Sequence, residues 1–344
     1  MFRCPNPPAG RHLRRSWRHA LALALVLLAP AVALSASPAD PAAAAPDFSD
    51  TRLLRFPDIH GDTIVFTYAG DLWTVSAKGG EARRLTAAPG YASQPKFSPD
   101  GKLIAFSGNY DGNNDVYVVD AAGGEPRRLT WHPSFDRVID WQPDGKSIRF
   151  QSGRESNTGR DLQLYTVPVD GGLPVKMILP TAGLSSYSPD GKVIAFNRVT
   201  TENRTWKRYK GGWAPDVWTY DFAANRSQRL TDWAGSDNFP MWHGDTIYYT
   251  SDRTDRLQVW AYDTKSAQHR QVTFHDEYDV KTPSLGTDSI VYENGGWLYV
   301  LDLKGGQPRK VTVSLHSDNV LTRPVIKSVA EQITSAGVAP DAKR

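Results

Sequence analysis

The chain has 344 residues, 40% hydrophobic and 22% charged, enough apolar material for one large core or two ordinary ones. Its formal net charge is +3, but residues 1–36 hold five arginines and no acid, so the remainder is near neutral and nothing points to nucleic acid. The only cysteine, Cys4, lies in that leader, which excludes disulfides and cysteine-based zinc sites from the rest of the chain.

The leader reads as an export signal. Arg3, Arg11, Arg14, Arg15 and Arg18 precede an apolar run from Ala20 to Leu34, broken by Pro30 and followed by small residues. That run is short of the roughly 20 residues that span a bilayer. Residues 1–36 are therefore expected to be a signal peptide cleaved after Ala33 or Ala36, an uncleaved anchor being the alternative. The mature chain is expected outside the cytoplasm, in the periplasm, with no stable membrane span after cleavage. Arg14-Arg15 leaves the twin-arginine route open beside the general one. Residues 37–50 form a Pro/Ala-rich linker.

From Leu53 three patterns return in fixed order. An apolar triplet follows a turn: IVF at Ile64, IAF at Ile104, IRF at Ile148, IAF at Ile194, IYY at Ile247, IVY at Ile290. An alternating strand follows, with Trp or Tyr at 73, 117, 165, 218, 260 and 299. A closing strand ends the unit: RRLT at Arg83 and Arg127, QRLT at Gln228, RQVT at Arg270, RKVT at Arg309, with a degenerate VKMIL in the third unit. The aromatic positions recur at about 40–50 residues with four strands per unit, which is the signature of a β-propeller blade. Alternation with period two and enrichment in aromatic and β-branched residues predict strands throughout.

Turn residues support the same division. SPDG at Ser98 and Ser188 and QPDG at Gln142 join strands one and two, and GG at Gly79, Gly123, Gly171 and Gly305 joins strands three and four. The sequence thus predicts an all-β fold: a six-bladed propeller of four-stranded antiparallel blades over residues 51–313. Each unit contains all four of its own strands. Closure is therefore expected by packing of blade one on blade six, without a swapped strand and without cross-strand pairing at the seam.

The PDG and GG turns fall on one face, and the variable strand two–three hairpins fall on the other, where binding is expected. The longest of these, NRVTTENRTWKRYKGGWAP in blade four, gathers Lys207, Arg208 and Lys210 beside Trp206, Tyr209 and Trp213. Together with Arg137, on a loop of the same face, these cations are the candidate contacts for a carboxylate-bearing ligand; solvated charges on a packed loop are the competing reading. NYDGNND (Asn109–Asp115) carries alternating oxygens but lacks the glycine placement and distal glutamate of a calcium loop, so it reads as a hairpin. FHDEYD (Phe274–Asp279) has no partner histidine for a metal. No G-x-S-x-G, H-E-x-x-H, P-loop or G-x-G-x-x-G occurs, and no catalytic residue, metal or cofactor is expected.

The blade grammar resembles TolB-like and peptidase-associated propellers. The opening LLRFPDIHGDTIVFTYAGDLWTV, together with TWKRYKGG and SLGTDSIVYENGGWLYVLD, more specifically resembles the N-terminal six-bladed propeller of tricorn-type serine proteases. That resemblance implies a longer parent: a seven-bladed propeller, a PDZ domain and a serine-protease core that cleaves oligopeptides, assembled as a hexamer. Residues 314–344 then read as a linker and the start of a truncated second propeller, and the family's catalytic residues fall outside the chain. The family holds a substrate's C-terminal carboxylate with paired arginines before strand one of blade three, where this chain has WHPSFDRVIDW with Arg137 alone. The expected function is a peptide gate or scaffold, with peptides and the remaining protease domains as partners. The alternative is a TolB-like periplasmic protein-interaction module.

Overall fold

The computed structural model describes residues 49–156, 161–202, 205–317, 324, 326–341 and 343. The leader and residues 37–48 lie outside the described residues. Six four-stranded antiparallel sheets follow in chain order: residues 55–84, 91–128, 136–176, 185–229, 237–271 and 281–311. Within each, neighbours in sequence are neighbours in the sheet, so every blade is a simple meander. Two-residue turns suffice at several corners. In blade one, Ala69 and Gly70 both take positive φ (51° and 90°), as a tight hairpin between right-twisted strands requires.

The core is six interfaces instead of one centre. In each triplet the outer two residues face one neighbouring blade and the middle residue faces the other, because strand side chains alternate. Ile104 and Phe106 join the cluster between blades one and two, whereas Ala105 joins the cluster between blades two and three. Ile194 and Phe196 pack toward blade three, and Ala195 toward blade five. Trp73, Tyr117 and Tyr165 are buried in these interfaces, as the repeat predicts.

In four of the six blades the polar residue immediately after the triplet joins its blade to the next. Ser107 accepts the N–H of Val138 at 2.8 Å, and Gln151 donates to the carbonyl of Ala182 at 3.2 Å. Asn197 donates to the Asp237 carbonyl at 2.9 Å and accepts from Phe239 N at 3.1 Å. Glu293 accepts the Phe56 N–H at 2.7 Å, linking blade six to blade one.

The threonine that ends the closing motif (RRLT, QRLT, RQVT) is a structural lock. The hydroxyls of Thr86, Thr130, Thr231 and Thr273 accept the N–H groups of Leu72, Val116, Val217 and Val259 at 2.8–3.0 Å. Arg84, Arg128 and Arg229 donate to Asp71, Asp115 and Asp216, which begin or immediately precede the third strands, at 2.5, 2.6 and 2.9 Å. Burial pushes the Asp115 and Asp216 carboxyls up, and the arginines only partly pull them back.

No blade borrows a strand, as expected, but the seam carries cross-strand pairing, which corrects the sequence expectation. After blade six the chain folds back, and Val313–Ser314 pairs in parallel with Gly80–Glu81, at the strand three–four turn of blade one. Gly80 N donates to Thr312 O at 3.0 Å, Ala82 N to Ser314 O at 2.8 Å, and Thr51 N to Val313 O at 2.8 Å. Val311, Val313 and Leu315 are fully buried in the cluster between blades six and one. The strap forms because VTVSL continues apolar alternation beyond RKVT, and those side chains complete the seam that the two blades share.

Candidate functional site: the axial channel

The first strands of all six blades line one cavity of about 460 Å³ on the propeller axis. Four of these strands share a device: a residue with positive φ followed by proline. Phe56-Pro57, Gln94-Pro95, Phe239-Pro240 and Thr282-Pro283 have φ of 50°, 51°, 55° and 42° at the first residue, each at a β-bulge. A bulge bends the strand and re-aims the side chains that follow it.

The position after the bulge in five first strands, with Ser186 at the matching place in blade four where the register is unbroken, forms a ring: Asp58, Lys96, Asp140, Ser186, Met241 and Ser284 all line the channel. Lys96 Nζ lies 3.3 Å from Asp58 Oδ1 and also donates to Ser284 Oγ, while Ser284 Oγ bonds Asp58 Oδ1. Asp58 Oδ2 accepts Phe97 N at 2.7 Å, so one buried carboxylate joins blades six, one and two. Ser186 Oγ accepts Trp242 N at 3.0 Å, joining blades four and five.

Arg149 crosses from blade three to blade four. It is the middle residue of the IRF triplet and fully buried. Its Nη2 donates to Ser185 O at 3.0 Å and lies 3.6 Å from Asp140 Oδ2, and its guanidinium sits 4.9 Å from the Tyr187 ring centroid. The Asp140 side chain keeps 45% of its exposure. That surface faces the channel, which protein encloses, so desolvation pushes the carboxyl up while Arg149 and Lys96 pull it down.

Toward the hairpin face the channel meets a second cavity of about 490 Å³, lined by Ser93, Ser107, Asn114, Asp136, Gln151 and Thr200 among others. Gln94, Arg137 and Glu202 line both cavities and form the partition. Arg137 Nη1 donates to Glu202 Oε1; the side chains keep only 13% and 5% of their exposure. Arg137 Nε and Nη2 and Glu202 Oε2 are buried without a hydrogen-bond partner.

Of the four cations singled out in the sequence, Arg137 alone lines the channel, and it lies within the first strand of blade three, paired with Gln151, and not on a loop. The other three engage the loops around blade five. Lys207 pairs with Asp279 at 2.9 Å, Arg208 Nε donates to Asp255 O at 3.1 Å, and Lys210 lies 5.3 Å from the Trp233 ring centroid. NYDGNND is a hairpin in which Asn113 donates to His132 O at 2.7 Å and Asp111 and Asp115 receive Arg128. Among the described residues no cluster of His, Cys, Asp or Glu is placed to hold a metal, and no helix is long and apolar enough to cross a membrane. Sequence reasoning missed Asp58, Lys96, Asp140, Arg149, Glu202 and Ser284. Arg149 had a local signal, a cation where the other five triplets carry Val65, Ala105, Ala195, Tyr248 and Val291.

The family model for the tricorn protease N-terminal beta propeller domain matches residues 51–320. The chain belongs to that family. The tricorn protease homolog of Saccharolobus solfataricus is 28% identical over 285 residues, covering 82% of this chain and 26% of the relative. Tricorn protease homolog 1 of Streptomyces coelicolor is 29% identical over 264 residues, 76% of this chain and 25% of the relative. The crystal structure of the tricorn protease aligns with a TM-score of 0.68 at 26% identity, over 75% of this chain and 26% of that one. This tricorn-type propeller therefore spans about a quarter of the length of the relatives it matches. TolB from Acinetobacter baumannii shares the fold, with a TM-score of 0.51 and 19% identity over 68% of this chain and 57% of TolB.

Proposed function

We propose that this propeller is the peptide-gating portion of an exported tricorn-like serine protease that degrades oligopeptides, and that it carries no catalytic residue itself. The observation that supports this reading is the axial channel with Arg137 in its wall, two of whose guanidinium nitrogens, Nε and Nη2, are buried without a partner. A peptide's C-terminal carboxylate matches a planar guanidinium that offers two parallel donors. Lys207, Arg208 and Lys210 are exposed on the blade-four hairpin and add a screened attraction for the same anionic end. The partners in this reading are peptides and the remaining protease domains, within a hexamer of the parent chain.

The test is binding of peptides with free and amidated C-termini to the wild type and to Arg137→Ala, Arg208→Ala and, on the turn face, Lys102→Ala. A hydrogen bond to a charged group is worth about 1.5–3 kcal/mol, so Arg137→Ala should weaken free-acid binding about tenfold or more. Indifference to amidation, or Arg137→Ala binding like Lys102→Ala, overturns the reading. Export predicts a mature N-terminus between Leu34 and Ala45 by mass spectrometry; intact Met1 on cytoplasmic protein overturns that part.

A further inference from the structure

We propose that Glu202 is a built-in competitor for the carboxylate that Arg137 receives, so that a peptide end enters its site by displacing an internal one. This rests on the carboxylate-anchor reading and adds the regulation of that site.

Glu202 reaches Arg137 from 65 residues away in sequence, out of the blade-four hairpin. Its side chain is buried, whereas Lys207, Arg208 and Lys210 of the same hairpin are exposed. A carboxylate is thus held against the arginine at the wall where an incoming carboxylate would bind. Other buried arginines of the ring pair within their own blade: Arg154 with Asp136 at 2.6 Å and Arg253 with Asp237 at 2.8 Å. Arg137 instead takes its acid from the neighbouring blade.

The pairing is one-armed. Only Nη1 is bonded, while Nε, Nη2 and Glu202 Oε2 have no partner. The stronger geometry for these groups is the two-armed one, in which both carboxylate oxygens accept parallel N–H groups. Nε and Nη2 are buried in the paired state, so a peptide carboxylate takes them as Glu202 gives way, and it then satisfies donors that Glu202 leaves idle. It also brings a second negative charge against Glu202, which then turns away. The second cavity, on the far side of the partition and lined by Ser93, Ser107, Asn114 and Thr200, can receive the displaced side chain in polar surroundings. Because both residues line both cavities, the exchange joins the channel to that cavity.

The experiment measures calorimetric affinity of the full chain for acetyl-Ala-Ala-Phe as the free acid and as its C-terminal amide. Glu202→Gln keeps the shape and an acceptor for Nη1 but removes the competing charge. It should bind the free acid about tenfold more tightly than wild type, the scale of one charge-assisted hydrogen bond, with the amide unchanged. Glu202→Asp withdraws the carboxylate by one methylene, retains the charge, and should tighten binding less; it carries the test if Glu202→Gln melts. Arg137→Ala should erase the preference for the free acid. Unchanged or weaker free-acid binding by folded Glu202 variants, with the preference over the amide intact, overturns the competitor and leaves the anchor standing. Absence of any acid-over-amide preference in every form overturns the anchor, and the competitor with it.

Discussion

The strap that closes the ring can be tested through one methyl group. Gly79 and Gly171 occupy the same place in the strand three–four turns of blades one and three, with φ of 95° and 99°. A Cβ on Gly79 would stand 2.6 Å from the carbonyl oxygen of Thr312, whereas a Cβ on Gly171 meets nothing within 4 Å. Alanine at either position bears the cost of an unfavourable backbone region, about 1–3 kcal/mol. That cost is shared and cancels in the comparison. Gly79→Ala must also push Thr312 away, and with it the bonds Gly80 N–Thr312 O, Ala82 N–Ser314 O and Thr51 N–Val313 O. At a net 0.5–1.5 kcal/mol each, losing all three adds about 2–4 kcal/mol. For a domain of this size that separates the two melting temperatures by roughly 4 °C or more. Urea unfolding of the two variants gives the energies, and amide exchange over residues 311–315 locates the effect. Equal destabilisation by both variants, with unchanged exchange at the strap, would falsify the account of the seam.

Two further expectations concern stability. Burial holds the imidazoles of His269 and His275 below their ordinary value, with Arg253 adding to the effect at His269. The unfolded chain then binds more protons below about pH 6.5, so this stability is complete above that pH and is lost as pH falls toward the folded values. The slope in that window is at most about 1.4 kcal/mol per pH unit for each histidine. His269→Gln and His275→Gln should each flatten the melting curve between about pH 7.5 and 5.5, and an unaltered slope refutes the assignment. Thr130→Val removes the hydroxyl that accepts Val116 N at 3.0 Å and leaves a buried N–H unpaired. It should cost about 1–3 kcal/mol by urea unfolding. Thr219→Val, whose hydroxyl makes one contact at 3.5 Å, is the control, and equal losses contradict the lock.

Blade number and strand order were legible because each unit writes its own period-two pattern and its own turns, and local sequence decides both. The strap was not, since two residues pairing in parallel with a distant turn leave no local signature. VTVSL reads as strand but does not name its partner. The polar ring becomes visible only when four first strands are aligned on their X-Pro step, which brings Asp58, Lys96 and Ser284 into register; Asp140 follows a bulge without a proline and joins them only in the fold. Arg149 is the one cation among the six middle residues of the triplets, but nothing within IRF names Ser185 of blade four as its partner. Glu202 lies in a nineteen-residue hairpin without periodicity, and only the third dimension sets it against Arg137. Lys207, Arg208 and Lys210 were legible as charges, but their partners Asp279, Asp255 and Trp233 belong to other loops.

The prolines of the innermost strands bear on how an extended chain would travel along the axis. Each first strand pairs only with its own second strand, so one hydrogen-bonding edge of every sheet is turned away from the blade, toward the lumen. Six such edges invite a passing extended chain to add itself as a further strand. Pro57, Pro95, Pro240 and Pro283 remove a donor from four of them, and the bulge beside each proline breaks the even spacing a new ladder would need. Four of the six inner edges thereby offer only an interrupted ladder for backbone pairing. Contacts offered to anything within the lumen are therefore carried mainly by side chains, those of Asp58, Lys96 and Arg137 among them.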